Sequence, residues 1–241
     1  MSTTSSAVSS PQSPATRAGR TAGPPDTTLL RIEWPTAEQF RQLLDSFPPD
    51  VLARRYLIGG IPHLFRDDPV KYLALRETIA RALEIGHHDV GIVGSARIGL
   101  LLSGQKGWSH FAMGHDIDVA IVAPELINEG LDALARRVAD LPLRQDEGGI
   151  DPQDLKEIQR TARNYAAGYL SPDTFPEDDG FRIKVNSALN QVTMQLLALT
   201  SVGPVSRLRA KVFRSWQDVE SFYTNLLRAL ARRRSLEEEE E

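Results

Sequence analysis

The sequence predicts an α+β fold, a small mixed β-sheet with helical regions before and after it. Two observations carry this. Short β-rich runs at Val90 to Val93 and Asp116 to Ala123 sit near the middle of the chain. The segments on both sides place apolar residues at helical spacing, as in Phe40, Leu43, Leu44 and Phe47. The 241 residues suit one large domain or two small ones, and 41% hydrophobic content is enough for a core.

Composition narrows the classes. There is no cysteine, which excludes disulfides and thiolate metal sites and fits a reducing, cytoplasmic compartment. No apolar run approaches the ~20 residues needed to span a membrane, and no secretory signal pattern is visible. The net charge of −4 is more than accounted for by Glu237 to Glu241, so the rest is nearly neutral. Bulk charge therefore argues neither for nor against nucleic acid.

The sequence divides into a tail over 1–28, a helical region over 29–86, a core over 87–185, a helical region over 186–234 and an acidic tail over 235–241. Residues 1–28 are rich in Ser, Thr, Pro, Ala and Gly and are expected to be disordered. Thr36 caps a first helix, which Pro48-Pro49 ends. A short helix runs from Asp50 to Tyr56 until Gly59-Gly60. Asp68 caps a third, with Pro69 in its first position and Gly86 closing it. His87-His88-Asp89 is a polar lead-in to the first strand, with metal binding as the less favoured alternative.

Val90 to Val93 is the first strand, Gly94-Ser95 its turn, and a helix is predicted over Ala96 to Leu102. Gly104 to His115 is a polar insertion. In it Lys106 is placed to touch phosphate, and Trp108 either stacks on a base or, with Phe111, anchors the loop. Asp116 to Ala123 is the second strand. Alternation puts the Asp116 and Asp118 carboxylates on one side, with Ile117 and Val119 on the other. Two adjacent carboxylates repel unless something positive lies between them, and a divalent cation with phosphate oxygens is the usual solution. Helices are predicted over Pro124 to Leu141 and Pro152 to Ala167, a strand over Phe181 to Val185, and a helix over Ser187 to Thr200. The basic run Arg207, Arg209, Lys211 and Arg214 is either a grip for a triphosphate or acceptor, or a solvated helix face. Ser215 caps a last helix through Arg234, whose apolar face holds Trp216, Val219, Phe222, Leu226, Leu227 and Leu230.

Val93-Gly94-Ser95-Ala96-Arg97 followed by Asp116-Ile117-Asp118-Val119 resembles the DNA polymerase beta-like nucleotidyltransferase superfamily, here as a standalone bacterial member. The match covers roughly residues 88 to 123. Its spacer of 20 residues between Ser95 and Asp116 is longer than in compact members. The resemblance implies a Mg²⁺-dependent nucleotidyltransferase that moves a nucleoside monophosphate from an NTP to an acceptor. Asp116 and Asp118 would hold two Mg²⁺ ions, with Mn²⁺ as the substitute. Gly94 and Ser95 would contact phosphates, with Arg97 nearby. A third carboxylate is expected from the family pattern. Asp173 is the first choice, and Asp178 and Asp179 are its rivals. The acceptor is left open among a protein side chain, an RNA end, a nucleotide and a small molecule, and a toxin–antitoxin or antiphage role is the expected setting. An inert nucleotide- or RNA-binding module on the same fold is the alternative, and a helical interaction protein with an incidental acidic pair is the weaker third.

Overall fold

The computed structural model describes residues 31–102, 109–111, 115–141, 151–199 and 207–240. The expected disordered tail, Lys106, Trp108 and Val205 lie outside the described residues.

Thr36 opens helix α1 (Ala37–Ser46). Its hydroxyl accepts from the Gln39 N–H while the Gln39 side chain accepts from the Thr36 N–H, closing both free donors. Pro48 precedes the short helix α2 (Pro49–Leu52), which continues as a π-helical segment, Ala53–Ile58. The sequence predicts one helix ending at Tyr56, and the segment runs on to Ile58, where Gly59 stops it. Asp68 caps α3 (Pro69–Leu83) by accepting from the Lys71 N–H.

Helix α3 stops earlier than Gly86, at Glu84, whose φ of 58° is left-handed. A side chain is disfavoured in that conformation and glycine is not. Glu84→Gly is therefore expected to stabilise the fold by about 0.5–1 kcal/mol, read from the urea midpoint. An unchanged or lower midpoint would refute it.

Strand β1 (Val90–Ile92) leads through Gly94 into α4 (Ser95–Ile98), a single turn where a helix to Leu102 was expected. Gly99 ends it in a left-handed conformation (φ 83°), and a Cβ there would stand 2.6 Å from the His63 ring. Strand β2 (Ile117–Val122) then passes into α5 (Pro124–Ala139). Asp151 caps α6 (Pro152–Ala166), which precedes the two-residue strand β3 (Tyr169–Leu170) and a 3₁₀ turn, Pro172–Thr174. Helix α7 (Gly180–Leu199) is followed by strand β4 (Leu208–Phe213) and helix α8 (Trp216–Glu240).

Two expectations are corrected here. Phe181 to Val185 is helical, the start of α7. Asp179 accepts from the Phe181 and Arg182 N–H groups, and the buried residues are Phe181, Val185, Ala188, Leu189 and Val192, a helical spacing. Ile183, the residue that made the run look alternating, is exposed. Arg209 and Lys211 of the basic run lie on a strand, with Arg207 and Arg214 flanking it, so the segment expected to be wholly helical contributes a strand inside the sheet.

The sheet order is β1-β2-β4-β3. Strand β2 runs antiparallel to β1 and parallel to β4, and β3 closes the edge antiparallel to β4. Asp118 is paired with Arg209 and Ala120 with Lys211. Ile117, Val119 and Ile121 pack with Leu208, Ala210 and Val212 in one hydrophobic cluster, together with residues of α3, α5 and α7. Ala120, Val122 and Phe213, from the opposite face, belong to a second cluster with α1, α2 and α8. That second face is apolar at one end and charged at the other. The α+β class with a mixed four-stranded sheet is thus observed.

Candidate functional site

The charged end of that face starts at Gly94. Its φ of 67° and ψ of −136° suit glycine and disfavour a side chain. A Cβ there would stand 3.4 Å from both Cε1 and the hydroxyl of Tyr223, and 3.6 Å from Oδ2 of Asp118. The Val93 N–H donates to the Asp118 carbonyl at 3.0 Å, tying the end of β1 to the first carboxylate-bearing turn of β2. The bend and Asp118 are therefore direct neighbours, despite the 20-residue spacer. Ser95 accepts from the Leu102 N–H through its hydroxyl oxygen, which leaves its O–H able to donate.

Asp116 and Asp118 are partly exposed, at 33% and 37% of their side-chain surface. The neighbouring strand supplies their counter-charges. Lys211 Nζ is 3.6 Å from Asp118, and Arg207 and Arg209 approach Asp116 at 3.6 and 3.5 Å. Both arginines also bind Oδ2 of Asp173, at 3.3 and 2.9 Å. Arg209 thus bridges Asp116 and Asp173, and Asp173 joins the cluster. Lys211 also lies 5.3 Å from the centre of the Phe222 ring.

Asp173 reaches this place because its 3₁₀ turn is clamped from behind. Arg137, 9% exposed, donates to the Thr174 carbonyl at 3.3 Å and forms ion pairs with Asp154 and Glu157 at 2.7 and 2.9 Å. The Thr161 and Thr174 hydroxyls are bonded at 2.9 Å. The pairing with Arg137 lowers the pKa of Glu157. The rivals lie elsewhere: Asp179 caps α7, and Asp178 lines a surface cleft with Arg136 and Asp140.

Arg97 does not face the bend. It is 1% exposed, donates to the Gly59 carbonyl and lies against Gly60. The expectation that it lies near a bound phosphate is corrected. Position 97 is on the α4 side turned toward the Gly59-Gly60 segment, which pattern reading on one turn of helix does not distinguish. Burial pushes its pKa down from 12.5 to about 10. Folding thus works against this charge below pH 10, and the penalty fades above pH 10 as the folded form gives up its proton first. Arg97→Met, similar in length but uncharged, is expected to match or exceed the parent in stability at pH 7. That advantage should shrink at pH 10.5, as read from paired urea melts. A large loss at pH 7 would mean that the bond to Gly59 outweighs the buried charge.

Tyr223 is the residue that sequence reasoning missed. It sits four residues after Val219 and four before Leu227 on the buried face of α8, and it is fully enclosed. Burial and the nearby Asp118 carboxylate push its pKa well above the usual tyrosine value. A polar-tipped aromatic within an apolar stripe was the available signal. Trp216, Phe222 and Leu226, assigned to the same stripe, are only partly buried.

His87 to Asp89 form a 3₁₀ turn before β1, with the two imidazole rings 3.8 Å apart. Among the described residues no group of three or more His, Asp or Glu is arranged to hold a metal ion. The donor chemistry of Asp116 and Asp118 nonetheless fits a hard cation such as Mg²⁺. Such an ion is commonly held by one or two carboxylates and completes its shell with water and phosphate.

Compared with protein-family models, curated proteins and solved structures, the chain matches none. No helix among the described residues is long and apolar enough to cross a membrane.

Proposed function

We propose that this chain is a nucleotidyltransferase that moves a nucleoside monophosphate from an NTP to an acceptor. The observation that carries this reading is the contact between the Gly94 bend and the Asp118 carboxylate, with Asp116 on the same side of the strand. The resemblance of the two motifs supports it. Magnesium on the two carboxylates would supply positive charge to the reacting phosphate and to the leaving pyrophosphate. The chain's own contribution is positional. Gly94 leaves room beside Asp118, Ser95 offers an O–H, and Lys211 lies close enough to turn from a carboxylate to a phosphate oxygen. The ion pair it would exchange, with Asp118, is long and partly exposed, so exchanging it costs little.

A second reading is favoured by one specific observation. Strand β4 carries Arg209 and Lys211 beside the acidic pair, so the carboxylates are neutralised by the protein itself. That arrangement suits an inert nucleotide- or RNA-binding module. Incubation with α-labelled NTPs and Mg²⁺ separates the two. Labelled product, absent with EDTA, is the result expected for the enzyme. Saturable NTP binding without product would favour the module, and absence of any NTP binding would remove the enzyme and the nucleotide-binding form of the module.

A further inference from the structure

Across the charged end of the sheet the groups follow a fixed order. The Gly94 bend comes first, then Asp118 and Asp116, then the row Arg207, Arg209 and Lys211, and last Asp173. We infer that the acceptor is already an anion: an ionised phosphate, such as a phosphomonoester, that docks on Arg207 and Arg209. This inference rests on the transfer reaction proposed above and names the substrate class for it.

A hydroxyl acceptor must lose its proton to attack, and a side chain placed to take that proton is the usual device. Strand β4 presents Arg209 beside Asp118 and Lys211 beside Ala120, so on this face it brings cations and no carboxylate. Among the described residues Asp173 is the remaining acid of this row, and its Oδ2 already accepts from both Arg207 and Arg209. Asp116 and Asp118 are assigned to the cation. An ionised phosphate needs no base, and planar guanidinium groups match its oxygens with paired N–H donors. Arg207 and Arg209 keep 54% and 43% of their side-chain surface exposed, so an incoming anion can reach them.

The step balances without a proton transfer. An oxygen of the acceptor phosphate attacks the α-phosphorus and a new P–O–P bond forms. The bond from the α-phosphorus to the bridging oxygen breaks, and pyrophosphate leaves with that electron pair.

The full chain is first loaded with Mg²⁺ and a saturating non-hydrolysable ATP analogue, and inorganic phosphate is then titrated in by calorimetry. Saturable phosphate binding is expected, weakened at least tenfold in the Arg207→Gln, Arg209→Gln double variant. It should be unaffected in Lys184→Gln, which breaks a distant surface pair with Glu129. In turnover with α-labelled ATP, adenosine 5′-monophosphate is expected to be labelled at least a hundredfold faster than adenosine. Absence of phosphate binding to the loaded protein, or equal labelling of adenosine, overturns the anionic acceptor and leaves nucleotidyl transfer standing. Failure of the analogue itself to bind defeats the nucleotide reading instead.

Discussion

Asp116→Asn and Asp118→Asn are each expected to lower kcat/KM for transfer from an NTP by about 10³-fold or more, the scale at which removing a charge-stabilising group from a phosphoryl-transfer site is felt. The Asp118 carboxylate stands next to the bend and Asp116 lies two residues before it, and asparagine keeps their shape while removing their charge. Folding should hardly change. Both side chains are more than a third or close to a third exposed, and their ion pairs with Arg209 and Lys211 are 3.5 and 3.6 Å long. Exposed pairs of this kind contribute about 0–1 kcal/mol. The measurements are product formation from α-labelled NTP and the thermal midpoint of the same samples. Full activity in either variant would take the acidic pair out of the chemistry. A collapse in midpoint would show that the pair serves folding.

The second large effect concerns the ground under the site. Phe213→Ala is expected to destabilise the fold by about 3–5 kcal/mol, the usual cost of emptying an aromatic site in a core. For a chain of this size that lowers the thermal midpoint by about 6–20 °C. Phe213 is fully buried at the end of β4, on the face that carries Arg209 and Lys211. Its ring lies 5.6 Å from Tyr169 and 5.9 Å from Phe222, between the edge strand and helix α8. It is paired with Val122 in the ladder that sets β4 against β2, and its carbonyl accepts from the Ala123 N–H. Calorimetry checks this directly. A loss under 1 kcal/mol would mean that the neighbouring aromatics close the gap, and that the second cluster is more adaptable than its burial suggests.

Local signals were legible wherever a residue acts on its own neighbours. Thr36, Asp68 and Asp151 cap the helices expected of them, because a cap needs only donors two or three residues away. The acidic strand and the Gly-Ser bend were readable for the same reason, since alternation and turn chemistry are short-range. Phe181 to Val185 misled because five residues cannot separate a period of 2 from one of 3.6, and the deciding cap at Asp179 lies just outside the run. The basic run was harder. Arg207, Arg209 and Lys211 read equally as a grip or as a solvated helix face, and only the pairing of β4 with β2 shows Arg209 and Lys211 on a strand with Arg207 just before it.

The amino-acid order alone determined the α+β class, the capped helices, the acidic strand and the small-residue bend. Tertiary structure decided the rest. It seated β4 beside β2 so that cations face the acids, and it brought Asp173 to Arg209. It enclosed Tyr223 behind Gly94 and turned Arg97 away toward Gly59. The physical reason is range. Caps, turns and alternation act over a few residues, whereas these contacts join segments from 34 residues apart (Asp173 to Arg207) to 129 apart (Gly94 to Tyr223) and are fixed by which faces must be buried together.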